Sequence, residues 1–224
     1  TSDIALTGRV EYIFAGSREE LRDYTSKPDE ALAAHFGAAI HWQHQNNDPS
    51  VTNPDRATGT PANRSVLGVT LDGQVEGGGL SLFVAGVLGH QRARNIVQPA
   101  GGTQSDSLTD WGVTVQGAWR FAEKCEVFVR YDGLFLDEDR GLFDRDQFNF
   151  ITFGFNHYFA GHAAKLTLDC VLSTNHTLGL TPSPQSAWLG NTNVINASSA
   201  DASGLLGTAR GLEAAVRLQM QVMF

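Results

Sequence analysis

Leu212-Glu213-Ala214-Ala215-Val216-Arg217-Leu218-Gln219-Met220-Gln221-Val222-Met223-Phe224 is the stretch from which the fold of this chain is read. Leu212, Ala214, Val216, Leu218, Met220, Val222 and Phe224 alternate with Glu213, Ala215, Arg217, Gln219, Gln221 and Met223. Successive side chains of an extended chain point to opposite faces, so this segment has one apolar face and one largely polar face. The apolar spacing is two, not 3.6, which assigns a strand.

Working back from the end, the same alternation recurs. Leu166, Leu168, Cys170 and Leu172 alternate with Lys165, Thr167, Asp169 and Ser173, and Val127, Val129, Tyr131 and Phe135 with Glu126, Phe128, Arg130 and Asp132. Trp111, Val113, Val115, Trp119 and Phe121 alternate with Thr114, Gln116 and Arg120, and Leu67, Val69, Leu71 and Val75 with Gly68, Thr70, Asp72 and Gln74. Residues 6–14, 36–44, 80–88 and 151–159 repeat the pattern less cleanly, so about nine strands are expected. These segments run to about 10–15 residues. Strands of soluble proteins average about 5–6, whereas a tilted membrane-crossing strand needs about 9–11. The expectation is therefore an all-β chain forming an antiparallel transmembrane β-barrel, with residues 1–224 as a single domain.

The connections alternate as well. Residues 76–79, 122–124 and 160–162 make short turns, while 46–64, 94–108 and 178–209 are long, polar and rich in Asn, Ser, Thr, Gly and Pro. Short turns on one side and long loops on the other characterise bacterial outer-membrane barrels. Residues 17–30 break the alternation, a long connection on the short-turn side that reads as a local insert. Trp111 and Phe121 share a parity ten positions apart, which at a tilt near 45° separates them by roughly 25 Å along a membrane normal. Two aromatic girdles follow: Tyr12, Phe14, Trp119, Phe121, Phe159 and Phe224 toward the short turns, and Trp42, Trp111 and Phe135 toward the loops.

Composition excludes other classes. A net charge of -8 leaves no basic patch to displace counterions from phosphates, which argues against a nucleic-acid partner. No apolar run approaches the roughly 20 residues of a membrane-spanning helix. Cys125 and Cys170 lack metal or redox spacing and, two strands apart, are expected to be free thiols.

Val127-Phe128-Val129-Arg130-Tyr131-Asp132-Gly133, the run from Phe148 to Phe159, Gly161 to Thr167 and Arg217 to Phe224 resemble the last strands of the phosphate-selective porin family, porins O and P. Within them, Tyr158-Phe159-Ala160-Gly161-His162-Ala163-Ala164-Lys165 is the run most particular to that family. The resemblance implies a 16-stranded outer-membrane barrel, commonly a homotrimer, of which this chain would be the carboxy-terminal part with amino-terminal strands lying outside it. It also implies that terminal Phe224 is read by the barrel-assembly machinery. A closed eight-stranded barrel, with the first segment folded apart, is the alternative architecture.

If the odd positions of the final strand face a lumen, the candidate pore-lining charges are Arg9, Glu11, Asp72, Arg120, Glu126, Arg130, Asp132, Lys165, Asp169, Glu213 and Arg217. The resemblance points to Arg130, Lys165 and Arg217 as wall positions of an anion track. Interleaved acids oppose such a track, and Arg130, Asp132, Lys165 and Asp169 read equally well as pairs that hold the wall together. A general diffusion pore for small solutes or inorganic anions is thus expected, with a non-conducting surface anchor or adhesion scaffold as the rival and a soluble carbohydrate-binding sandwich as a second.

Catalytic and metal chemistry is not expected, and no cofactor. Asp137-Glu138-Asp139-Arg140 and Asp144-Arg145-Asp146 lack calcium-loop spacing, and their arginines oppose a cation. Ser173, Asn175 and His176 lie near one another without the third orienting group that a nucleophile and base require. His41 and His44 fall on opposite strand faces.

Overall fold

The computed structural model describes residues 4–22, 24–45, 64–96, 105–138, 146–175 and 212–223. They form β1 (Ile4–Ala15), β2 (Ala33–Gln45), β3 (Arg64–Gly77), β4 (Leu80–Ile96), β5 (Ser105–Ala122), β6 (Cys125–Phe135), β7 (Gln147–Tyr158), β8 (Ala164–Ser173) and β9 (Glu213–Val222). A 3-10 turn, Glu20–Arg22, lies between β1 and β2. Each strand pairs antiparallel with the next in sequence, giving one nine-stranded sheet in the order β1 to β9. β1 and β9 are its two edges. The first segment takes its place in this sheet as β1, so it does not fold apart as the eight-stranded alternative required.

Three connections are tight. Gly78 and Gly79 join β3 to β4 with φ of 60° and 84°, the left-handed pair that a two-residue type I′ hairpin needs and that glycine adopts without steric cost. Glu123 and Lys124 join β5 to β6, and residues 159–163 join β7 to β8. On the other side β4 and β5 extend further than their apolar pattern indicates, to Ile96 and from Ser105, so the expected loop 94–108 is partly strand. There the backbone ladder continues through polar residues, as His90 pairs with Thr109 and their side chains meet at 2.8 Å. Hydropathy marks the apolar band, whereas pairing needs only backbone groups.

The two faces of the sheet differ in a way opposite to a water-soluble sheet. Large apolar side chains stand exposed along every strand, among them Val10 at 75%, Val216 at 74% and Leu218 at 70%. The opposite parity holds covered polar groups, including Gln74, Glu76, Arg120, Glu126, Thr152, Asp169 and Glu213. Of the Asp, Glu, Lys and Arg side chains described within the strands, Arg92 alone shares the apolar parity, near the loop end of β4. One register row on the polar face runs through Glu11, Gly37, Asp72, Ala85, Thr114, Asp132, Phe150, Ser173 and Glu213, crossing all nine strands.

Close packing on the polar face depends on small residues. A Cβ added at Gly154 of β7 would overlap the ring of Phe128 on β6. Gly154→Ala should therefore cost about 1–3 kcal/mol in denaturant unfolding, because the ring must leave its place. Gly117→Ala, with nothing within 4 Å of the added carbon, should stay within about 0.5 kcal/mol. Equal effects at the two positions would contradict the Phe128 packing.

Candidate functional site

The polar face carries every candidate pore-lining charge named from the sequence, but it presents most of them already held by partners. Arg9 reaches from β1 over Gly37 of β2 to Asp72 on β3, where its guanidinium makes two hydrogen bonds of 2.6 and 2.8 Å. A side chain at position 37 would block that path. His35 Nε2 lies 3.4 Å from the same carboxylate, and Glu11 sits between Arg9 at 3.4 Å and Arg18 at 2.9 Å. On β6, Arg130 Nε donates to Asp132 at 2.8 Å, and Thr114 Oγ1 donates to the other Asp132 oxygen at 2.8 Å. Arg217 and Asp169 face each other across β9 and β8 with bonds of 2.7 and 3.0 Å. Paired bonds of this kind are the strong, planar form of arginine–carboxylate recognition.

Glu126 anchors a second cluster, near the short-turn end. Its Oε1 accepts from Asn156 Nδ2 at 2.7 Å and from the Tyr158 hydroxyl at 3.0 Å, and its Oε2 accepts from the Thr25 hydroxyl. Thr167 Oγ1 extends the network to Asn156 at 2.6 Å. Arg120 stands over the Tyr158 ring, 4.5 Å from its centroid, and donates to the Glu123 carbonyl. Glu126 is 4% exposed and Tyr158 2%, so each polar atom here needs a partner inside the protein. Glu213, 2% exposed, lies opposite Ser173. Lys165, between Tyr158 and Gln221 in register, makes no ion pair among the described residues.

A hollow of about 350 Å³ lies on this face, floored by Ala85 and Gly112 and flanked by Asp72, Thr114, Asp132 and Phe150. It exists because β4 and β5 carry minimal side chains there. Residues of five successive strands, β3 to β7, line it.

The described aromatic residues named for the two girdles stand on the apolar face. Trp111 stacks on Phe135 with centroids 3.7 Å apart. Trp119 and Phe121 lie 5.8 Å apart beside the turn after β5, and Phe159 is exposed after β7. Trp42 is exposed near the loop end of β2. Phe224 lies outside the described residues, as do the loop positions 46–63, 97–104 and 176–211.

The described ends of the acidic stretch meet the sheet, the Asp146 carbonyl accepting from the Leu136 amide at 2.6 Å. Asp137 accepts from the Thr109 amide at 2.6 Å, while 139–145 fall outside the described residues. Ser173 Oγ donates to the Asn175 carbonyl at 2.5 Å, and His176 is outside the described residues. Cys125 and Cys170 are free thiols on β6 and β8. Among the described residues no group of three His, Cys, Asp or Glu side chains is disposed to hold a metal.

Sequence reasoning missed Thr25, Asn156 and Tyr158. Thr25 lies in a connection without periodicity. Asn156 and Tyr158 were legible only by extending the parity of Thr152 and Gly154, against the pull of Phe148, Phe150 and Tyr158, three aromatics on the polar face. Compared with protein-family models, with curated proteins and with solved structures, the chain matches none.

Proposed function

We propose that this chain is a bacterial outer-membrane β-barrel pore, with its apolar face in lipid and its polar face lining a water-filled passage for diffusion of small solutes. The observation that carries the reading is the inverted surface. Apolar side chains are exposed along all nine strands while the charges described within the strands, Arg92 excepted, share the polar face. In water such a face would be a very large exposed apolar patch, whereas in a bilayer it is solvated. The aromatic pairs at Trp111–Phe135 and Trp119–Phe121 fit interfacial girdles. A bilayer tolerates no unpaired edge, so β1 and β9 join further strands or each other in the closed barrel.

The pore selects weakly by charge. Arg9, Arg130 and Arg217 each hold a carboxylate, which cancels most of the field they would offer an anion. The resemblance to phosphate-selective porins supports the barrel and a trimeric assembly, and Lys165 is the basic wall residue left for an anion contact.

Single-channel recording of the detergent-purified full-length protein in a planar bilayer tests this. Stable steps with a reversal potential near zero in a salt gradient, unchanged by added phosphate, are expected. Strong anion preference with phosphate block would replace the general pore by a selective one. Absence of steps from inserted protein would favour a non-conducting anchor, a reading for which the connection between β1 and β2 across the polar face is the specific argument.

A further inference from the structure

The connection from Gly16 to Leu32, described except for Asp23, is an insert that lies against the sheet. Gly16 has φ +73° and sits so close to Ala33 and Glu20 that no side chain fits. Glu20 then reaches back to the Ser17 amide at 2.6 Å, closing the 3-10 turn. From there the chain leaves its own hairpin. Tyr24 packs edge-on against Phe83 of β4 with centroids 5.2 Å apart, and its carbonyl accepts from Ser81 at 3.4 Å. Ser26 Oγ accepts from the Gly79 amide at 3.3 Å, and the Glu30 carbonyl accepts from the Gly78 amide at 3.0 Å. The Thr25 hydroxyl meets Glu126 on β6.

These contacts run from β2 to β6, four strand spacings, or about 19 Å at 4.8 Å each. Ser81, Phe83 and Glu126 all have the polar parity, so the chain crosses that face. Thr25 is 3% exposed and Ser26 1%, burial that polar side chains accept when bonded in place. Tyr24 holds φ +55°, a left-handed backbone that a bulky residue adopts only when its surroundings enforce it. The turn closing the segment is also fixed, because Glu30 accepts from the Lys27 amide at 2.7 Å and pairs with the Lys27 ammonium at 3.1 Å.

We propose that residues 16–32 are a strap folded across the lumen at its short-turn end, latched by Thr25 to Glu126, and that this strap sets the width of the passage there. This inference rests on the pore reading. Arg18, Glu19, Glu20, Arg22, Lys27, Asp29 and Glu30 are the described charged side chains of the strap, with Arg18 paired to Glu11 and Lys27 to Glu30.

The test is conductance and polymer exclusion in planar bilayers with the full-length protein, comparing wild type with a variant whose residues 17–31 are replaced by Asn-Gly. Conductance should rise by about twofold or more, and larger polyethylene glycols should enter from the short-turn side only. Unchanged conductance and unchanged polymer cut-off in a folded, inserted variant would overturn the strap while leaving the pore intact. Wild type without currents would remove the pore reading and the strap's role with it. Should the shortened variant not fold, Thr25→Val releases the latch alone. It is expected to add conductance fluctuations and to speed tryptic cleavage after Arg18 and Arg22. Wild-type noise together with wild-type cleavage rates in Thr25→Val would overturn the latch.

Discussion

Arginine in place of Leu168 is expected to lower the unfolding free energy by about 2–4 kcal/mol in lipid vesicles, the cost of a cation at the middle of a bilayer. Leu168 is central in β8 and exposed, and its register row on the apolar face reads Leu80, Trp119, Val127, Phe155, Leu168 and Leu218. In a protein dissolved in water, an exposed leucine tolerates arginine within about 0.5 kcal/mol. Gln219→Arg, on the polar face of β9, should stay near that smaller value in either medium. Denaturant titration of both variants, followed by tryptophan emission in short-chain phosphatidylcholine vesicles, gives the comparison. Equal, small effects would mean that the apolar face does not meet lipid, and the membrane reading would have to be withdrawn.

The second large effect belongs to Glu126. Removing the carboxylate in Glu126→Ala leaves the Asn156 amide, the Tyr158 hydroxyl and the Thr25 hydroxyl without their acceptor in a covered site. At about 1–3 kcal/mol for each donor left unsatisfied, and with the three losses not independent, a total of about 3 kcal/mol or more is expected. Glu126→Gln keeps the volume and one acceptor oxygen. Its Oε1 can still receive Asn156 and Tyr158, while the Thr25 hydroxyl can turn to accept from the new amide, so about 1 kcal/mol is expected. The order of the two costs is what matters. If alanine and glutamine cost the same, the hydrogen bonds around Oε1 contribute nothing and the cluster is not a structural anchor.

Gly154 and Glu126 illustrate how much was legible beforehand. The strand beginning at Glu126 and its polar parity follow directly from Val127, Val129 and Tyr131 alternating with Phe128, Arg130 and Asp132. That Gly154 must be glycine does not, because the constraint is the Phe128 ring arriving from the neighbouring strand. The pairing of Arg130 with Asp132 is visible at two-residue spacing. Arg9 with Asp72 is not, since the whole of β2, bare at Gly37, lies between what the sheet brings together.

What the sequence determined by itself is the all-β class, the nine segments, their division into an apolar and a polar face, and the placing of the described strand charges, Arg92 apart, on the polar one. These are local properties, because a two-residue period needs only the stereochemistry of an extended chain. Tertiary structure alone decided the order of the strands, the extension of β4 and β5 past the apolar band, the neutralisation of Arg9 and Arg217, and the path of residues 16–32 across the face to Glu126. Each of those depends on backbone pairing or on side chains far apart in the chain, and a connection with no period leaves its destination unwritten until the strands it crosses are in place.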